Sequence, residues 1–204
     1  MNIFFDFDGT LIDCKERLYR LFADLTKSNK ISIEDYWRLK RSMLDHDWIL
    51  TNIFKYSDRQ LSSFKDNWMD LIESEEYLNY NQLFDYTIPT LRSLGKHKLY
   101  LVTARQYEDK VIKEIIKFGI QQYFLEVLVS NHGKSKFELI IEMGVNISAE
   151  DFFVGDTEID ILTGKKLNIS TVSVFSGFRG YESLLTYKPD YMISNISEIG
   201  KIIL

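Results

Sequence analysis

The sequence predicts an α/β fold: a Rossmann-like parallel sheet as the core, with an α-helical segment inserted early in the chain. Three observations predict it. Short apolar runs rich in aromatic and β-branched residues, at 3–5, 99–102, 152–154 and 171–175, alternate with stretches of helical periodicity. Such alternation implies parallel strands joined by right-handed crossovers. Residues 14–86 carry only helical spacing. Finally, three of the apolar runs end in Asp6, Thr103 and Asp156, and ligands of parallel sheets bind beyond the carboxyl ends of the strands.

Ile3, Phe4 and Phe5 read as a buried first strand. In the insertion, Leu18, Leu21, Phe22 and Leu25 form one helical stripe. Ser32 with Asp35 signals the start of a second helix carrying Tyr36, Leu39 and Met43. Ser57 with Gln60 starts a third, with Leu61, Phe64, Trp68 and Leu71 inward. All 3 Trp lie in this segment, and its aromatics are expected to form the core of a helical bundle.

Pro89 should begin a helix that stops at Gly95. Residues 98–103 read as the second strand. A helix over 107–118 should turn Val111, Ile112, Ile115 and Ile116 inward. Residues 123–130 read as a third strand, 136–143 as a helix, and 151–156 as a fourth strand. A helix bearing Ile159, Ile161 and Leu162 follows, then a strand over 170–175 and a short one over 191–194.

The 204 residues suit one domain with a sizeable insertion. A net charge of -5 argues against sequence-independent nucleic-acid binding, which needs a basic surface. It leaves room for a small anionic substrate held by local cations. With 1 Cys, Cys14, no internal disulfide can form, so a reducing, cytoplasmic setting is expected. Cys14 reads as a packing residue. No basic leader and no membrane-length apolar run is expected to direct the chain elsewhere. Oligomeric state is not readable.

The chemistry starts at Asp6-Phe7-Asp8-Gly9-Thr10-Leu11. Two carboxylates at i, i+2 at the end of a strand point the same way and repel, so they need a cation or a proton between them. An all-oxygen site suits Mg²⁺. Thr103 offers a hydroxyl. Lys134 and Lys136 each offer an ammonium, and Lys136 opens a helix. Gly155-Asp156-Thr157-Glu158-Ile159-Asp160 places two carboxylates one helical turn apart.

In this order the segments resemble the four motifs of the haloacid dehalogenase superfamily of phosphotransferases: DxDGT[LV], a strand-end Thr, a Lys and GDxxxD. The branch most similar is that of phosphoglycolate phosphatase, with a helical cap of the C1 type. The resemblance implies a catalytic core over 1–13 and 87–204 and a cap over 14–86. It implies a Mg²⁺-dependent phosphatase of small phosphorylated metabolites working through an aspartyl phosphate. Asp6 would be the nucleophile and Asp8 the general acid and base. Thr103 and Lys136 would hold the phosphate, with Lys136 preferred over Lys134 because relatives carry the lysine at a helix start. Asp6, Asp8 and Asp156 would serve the metal, with the Phe7 carbonyl facing it. Asp160 would hold metal-bound water or pair with Lys136, or simply favour its helix N-terminus; Glu158 would be solvated.

A sugar phosphomutase shares these motifs and stays open. A phospho-aspartate signalling module or a non-catalytic binding protein fits less well, since the motif order differs from receiver domains and both Asp6 and Asp8 are intact. Arg105 could meet an anionic substrate, and Arg179 could do so or sit in an ordinary loop. His46, His97 and His132 lack metal-ligand spacing.

Overall fold

The computed structural model describes residues 1–131 and 133–203. The backbone divides into two compact units, residues 1–13 with 83–204, and residues 14–82.

The first unit is built on a six-stranded, all-parallel sheet: β1 (Asn2–Phe5), β2 (Lys98–Thr103), β3 (Glu126–Val129), β4 (Phe152–Gly155), β5 (Ser170–Val174) and β6 (Tyr191–Ile193). Their spatial order is β3-β2-β1-β4-β5-β6. β1 is therefore central, with Phe5 opposite both Leu101 of β2 and Val154 of β4. The order reverses between β1 and β4, and a crevice opens at such a switch point.

Alternation along β1 explains the two cores. Ile3 and Phe5 face a cluster with Leu99, Leu101, Val154 and Val172, covered by Leu91, Val111, Ile115 and Ile196. Phe4 faces the other way, with Tyr100, Val102, Phe153, Ile140 and Leu167. A strand buried on both faces reads as an unbroken apolar run, as this one does. Each such side chain contributes about 1.5–3 kcal/mol of burial.

The helix expected from Pro89 begins earlier, spanning Thr87–Ser93. Proline is tolerated in a first turn, where its missing N–H has no partner to lose. The Thr87 hydroxyl donates to the Leu11 carbonyl at 2.7 Å. Helix Glu108–Lys117 buries Val111 and Ile115, but Ile116 is 55% exposed and Glu114 takes an inward place. In helix Glu158–Leu167, Ile161 is buried while Ile159 and Leu162 are exposed. Gly164 is the reason: a Cβ there would lie 2.5 Å from Thr171 and 3.2 Å from Phe153, so the helix meets the sheet along Ile161, Gly164 and Leu167. The third strand is shorter than expected, because Gln121–Tyr123 form a 3₁₀ turn before it.

The second unit consists of helices. Ser32 caps Ile33–Arg41, accepting from the Asp35 N–H at 3.0 Å, and Ser57 and Gln60 cap Asp58–Leu71. Helix Lys15–Thr26 buries Leu18, Leu21 and Phe22. The core is aromatic: Phe22 packs with Tyr36, His46, Phe54 and Phe64, and His46 meets Trp68 edge-on at 4.2 Å. His46 Nε2 lies 2.8 Å from the Tyr36 hydroxyl, and burial holds the imidazole well below its ordinary pKa. A buried neutral histidine in a ring cluster is structural. Trp48 and Leu71 are exposed. Leu83 and Tyr86 pack against the core of the first unit. The second compact unit ends at residue 82.

Short elements left no periodic trace in the sequence: His46–Ile49, the π-helical turn Leu50–Phe54, Glu75–Leu78, Tyr181–Leu185 and the 3₁₀ turn Ile196–Lys201. Among the described residues no helix is long and apolar enough to cross a membrane.

Candidate active site

The site lies at the carboxyl ends of β1, β2 and β4. The Asp6 N–H donates to the Val154 carbonyl at 2.9 Å, extending the ladder one residue past β1 and fixing where the Asp6 side chain begins. The chain then turns. Gly9 adopts φ +81°, and a Cβ on it would stand 2.3 Å from Asp156 Oδ2, so glycine is required by conformation and by contact alike. The Thr10 hydroxyl lies 3.4 Å from Asp6 Oδ2 and 3.3 Å from Asp156 Oδ1, bridging the two strands.

Lys136 opens the helix Lys136–Glu142, whose start is set by Ser135 and Glu138 in a capping box. Its Nζ donates to Asp6 Oδ1 at 2.5 Å and to Asp160 Oδ1 at 2.6 Å, with all three side chains buried. A cation in a first turn opposes the helix dipole, so these carboxylates are what favour it there. Lys134 instead pairs with Glu142, and both are exposed. Of the two lysines left open by the sequence, Lys136 is the one brought to Asp6.

Asp156 follows β4 and is fully buried, its Oδ2 accepting from the Phe178 N–H at 2.6 Å. Asp160 Oδ2 accepts from the Thr157 N–H and hydroxyl at 3.0 and 2.7 Å, so this residue both caps its helix and pairs with Lys136. Gly177 presses on the same place. A Cβ there would lie 2.1 Å from Asp156 Oδ2 and 2.6 Å from the Gly9 carbonyl. Gly177→Ala should therefore cost about 1–3 kcal/mol by overpacking. Urea unfolding beside Gly133→Ala, where a Cβ meets nothing within 4 Å, checks this; equal midpoints for the two variants would contradict it.

Burial pushes the Asp6 carboxyl up to about 6; Lys136 opposes, and Asp160 and Asp8 add to the rise. Asp156 is pushed well above the ordinary range, by burial and then by Asp6 and Asp160. Burial works against the Lys136 ammonium, but Asp160 and Asp6 outweigh it and raise its pKa. The cluster thus has more carboxylates than one lysine can balance. Oxygens of Asp6, Asp156 and Asp160 all lie within 4.8 Å of one another. That is close to the about 4 Å between opposite ligands of Mg²⁺. A hard divalent cation fits this all-oxygen, negatively biased set.

Other expected residues are placed differently. Asp8 does not turn to the three-carboxylate cluster: Arg105 takes both its oxygens, Nε to Oδ2 at 2.6 Å and Nη2 to Oδ1 at 2.8 Å. The Phe7 carbonyl accepts from the Leu11 N–H at 2.9 Å within the loop. Thr103, buried at the end of β2, accepts from the Arg105 N–H at 3.3 Å. Glu158 is not simply solvated but pairs with Arg179 at 2.7 and 2.9 Å, tying the loop after β5 to the start of the helix after β4. Cys14 is buried, in keeping with a packing role. His132 lies outside the described residues.

Sequence reasoning missed Thr10, Glu114 and the Phe178 N–H. Glu114 left one signal, a charge beside Ile115 on the inward side of its helix. A backbone donor leaves none.

Residues 3–174 match the family model described as haloacid dehalogenase-like hydrolase. The chain belongs to this family. It is a hydrolase, and its similarities fall among the phosphatase-like members. Curated relatives include a pyrophosphatase PpaX from Oceanobacillus iheyensis, 23% identical over 211 residues, covering 99% of this chain and 96% of that one. Another, from Anoxybacillus flavithermus, is 26% identical over 223 residues, covering 99% and 96%. A haloacid dehalogenase-like family hydrolase from Streptococcus pneumoniae superposes with a TM-score of 0.80 at 22% identity, over 100% of this chain and 98% of that one. A structure described as a predicted phosphoglycolate phosphatase from Haemophilus somnus gives 0.73 at 21% identity, over 99% and 97%. These structural likenesses agree with the haloacid dehalogenase fold of the parallel sheet.

Proposed function

We propose that this family member is a Mg²⁺-dependent phosphatase that hydrolyses a small phosphorylated metabolite through a phosphorylated Asp6. One observation carries the reading: Asp6, buried at the switch point of the sheet, has an ammonium 2.5 Å away on one side and the carboxylate of Asp156 on the other. Positioned charge is most of what phosphoryl transfer needs.

In the first step an Asp6 oxygen bonds to phosphorus as the ester P–O bond breaks. The leaving oxygen takes a proton from Asp8. In the second, water attacks the phosphorylated Asp6 and gives a proton to Asp8. The P–O bond to Asp6 breaks, inorganic phosphate departs, and both aspartates are restored. Lys136 balances negative charge at Asp6 throughout, and Thr103 offers a hydroxyl at the end of β2. Mg²⁺, held by Asp6 and Asp156 with Asp160 nearby, would neutralise the approaching phosphate. The cap role of residues 14–82 and a cytoplasmic setting, suited to the lone buried Cys14, belong to the same reading.

The decisive experiment is a screen of phosphorylated metabolites for phosphate release, with inorganic pyrophosphate and phosphoglycolate included because relatives and structural neighbours carry those names. Chelator should stop release and Mg²⁺ restore it; an undiminished rate in chelator would remove the metal. Isomerisation of hexose phosphates without phosphate release would favour a mutase.

The metal also has a stability readout. A carboxyl raised in the folded protein contributes stability at low pH that is lost as pH rises through its folded value, about 6 for Asp6. The metal-free protein should therefore weaken as pH rises from about 4 to about 6, with the Asp6 contribution fully lost above that. Because Mg²⁺ competes with protons for the same oxygens, it should raise Tm more at about pH 7.5 than at about pH 5. An equal rise at both would show that the ion binds elsewhere.

A further inference from the structure

We propose that Arg105, anchored by Glu114, is a positioning residue that fixes the carboxylate of Asp8 for its proton transfers. The inference rests on the acid–base reading of Asp8 above and goes beyond it, since none of the four motifs contains Arg105 or Glu114.

Three elements meet in this arrangement. Asp8 stands in the loop after β1, Arg105 lies two residues past the end of β2, and Glu114 projects from helix Glu108–Lys117. The guanidinium is 3% exposed and meets both Asp8 oxygens side-on through Nε and Nη2. Its Nη1 donates to Glu114 Oε2 at 3.0 Å, with the glutamate 6% exposed. The Arg105 plane also sits 5.3 Å from the centre of the Phe7 ring. Two hydrogen bonds to a planar carboxylate fix its position and its rotation together, which a lysine cannot do.

The burial gradient gives the direction of support. Glu114 and Arg105 lie behind, and the Asp8 side chain, 15% exposed, forms the accessible end of the chain of charges. A carboxylate oxygen has two acceptor sites, so a bond from Arg105 does not by itself exhaust either Asp8 oxygen. Glu114 completes the design by fixing the far side of the guanidinium and balancing its charge. A buried, doubly anchored arginine is poorly placed to follow a substrate, but well placed to hold a neighbouring side chain still. Small errors in the placement of a proton donor lower turnover without changing how the phosphate is bound.

The test is a double-mutant cycle with 4-nitrophenyl phosphate and Mg²⁺, using Arg105→Lys and Glu114→Gln in the native and the Asp8→Asn backgrounds. Residual rates are read at high enzyme concentration, and thermal melts verify folding. In the native background R105K should lower kcat about tenfold with KM little changed, and E114Q should lower it less. In the D8N background both should have almost no further effect, and inhibition by inorganic phosphate should stay the same throughout. R105K retains the positive charge; where it melts early, E114Q alone decides. Equal losses in the two backgrounds, or weaker phosphate inhibition, would mean that Arg105 meets the substrate, and would overturn the proposal while leaving Asp8 its role. Full rates for R105K and E114Q beside an inactive D8N would overturn it too. A fully active D8N would defeat the acid–base reading first and the positioning role with it.

Discussion

Asp6→Asn should remove turnover of every phosphorylated substrate while the protein remains folded. An amide oxygen cannot form the phosphorylated intermediate, so the loss should be at least about a thousandfold, the scale seen when a nucleophile is removed. The fold should tolerate the change. The native carboxyl is held up at about 6 by burial, so its ionised form is disfavoured where it stands. An amide of the same shape removes that unfavourable charge and can accept from Lys136, which keeps Asp160 as its ionic partner at 2.6 Å. Phosphate release and a thermal melt measure the two halves. A folded D6N variant with a tenth of the native rate would refute Asp6 as the nucleophile.

Lys136→Met should cost both activity and stability. The ammonium is 5% exposed and shared by two buried carboxylates, with Asp156 close by. Removing the cation leaves those acids facing one another in a low-dielectric site, where breaking a buried pair costs about 3–5 kcal/mol. The deficit should shrink when Mg²⁺ is added, because a second source of positive charge then stands near Asp6. Lys134→Met is the matched control. That lysine and Glu142 are each about half exposed, and such pairs contribute little. Urea unfolding of both variants in chelator is the measurement; a common midpoint would disprove the central place of Lys136.

Much of this was legible because it is local. The run Ile3-Phe4-Phe5 is apolar on both faces and could only be an inner strand, and the capping pairs Ser32–Asp35 and Ser57–Gln60 marked helix starts correctly. Asp6, Asp156 and Asp160 were recognisable from two motifs far apart in sequence, and the geometry brings them together. What escaped is what depends on a third dimension. The partner of Asp8 is decided by how far an arginine beyond β2 can reach, and nothing near Asp8 in the chain announces it. Glu158 was given to solvent because the loop that carries Arg179 returns to it only in the fold. Ile116 was turned inward with Val111 and Ile115, whereas it is exposed and Glu114 takes the buried place beside them.

The central place of β1 has a consequence for synthesis of the chain. The strand leaves the ribosome well before its two neighbours, which begin only at Lys98 and Phe152. Until both emerge, this sticky apolar stretch has no complete sheet to join, and pairings this distant are slow to form. A nascent chain halted before β4 should therefore depend on chaperones, and it would hold Asp6 without the Asp156 that completes its surroundings.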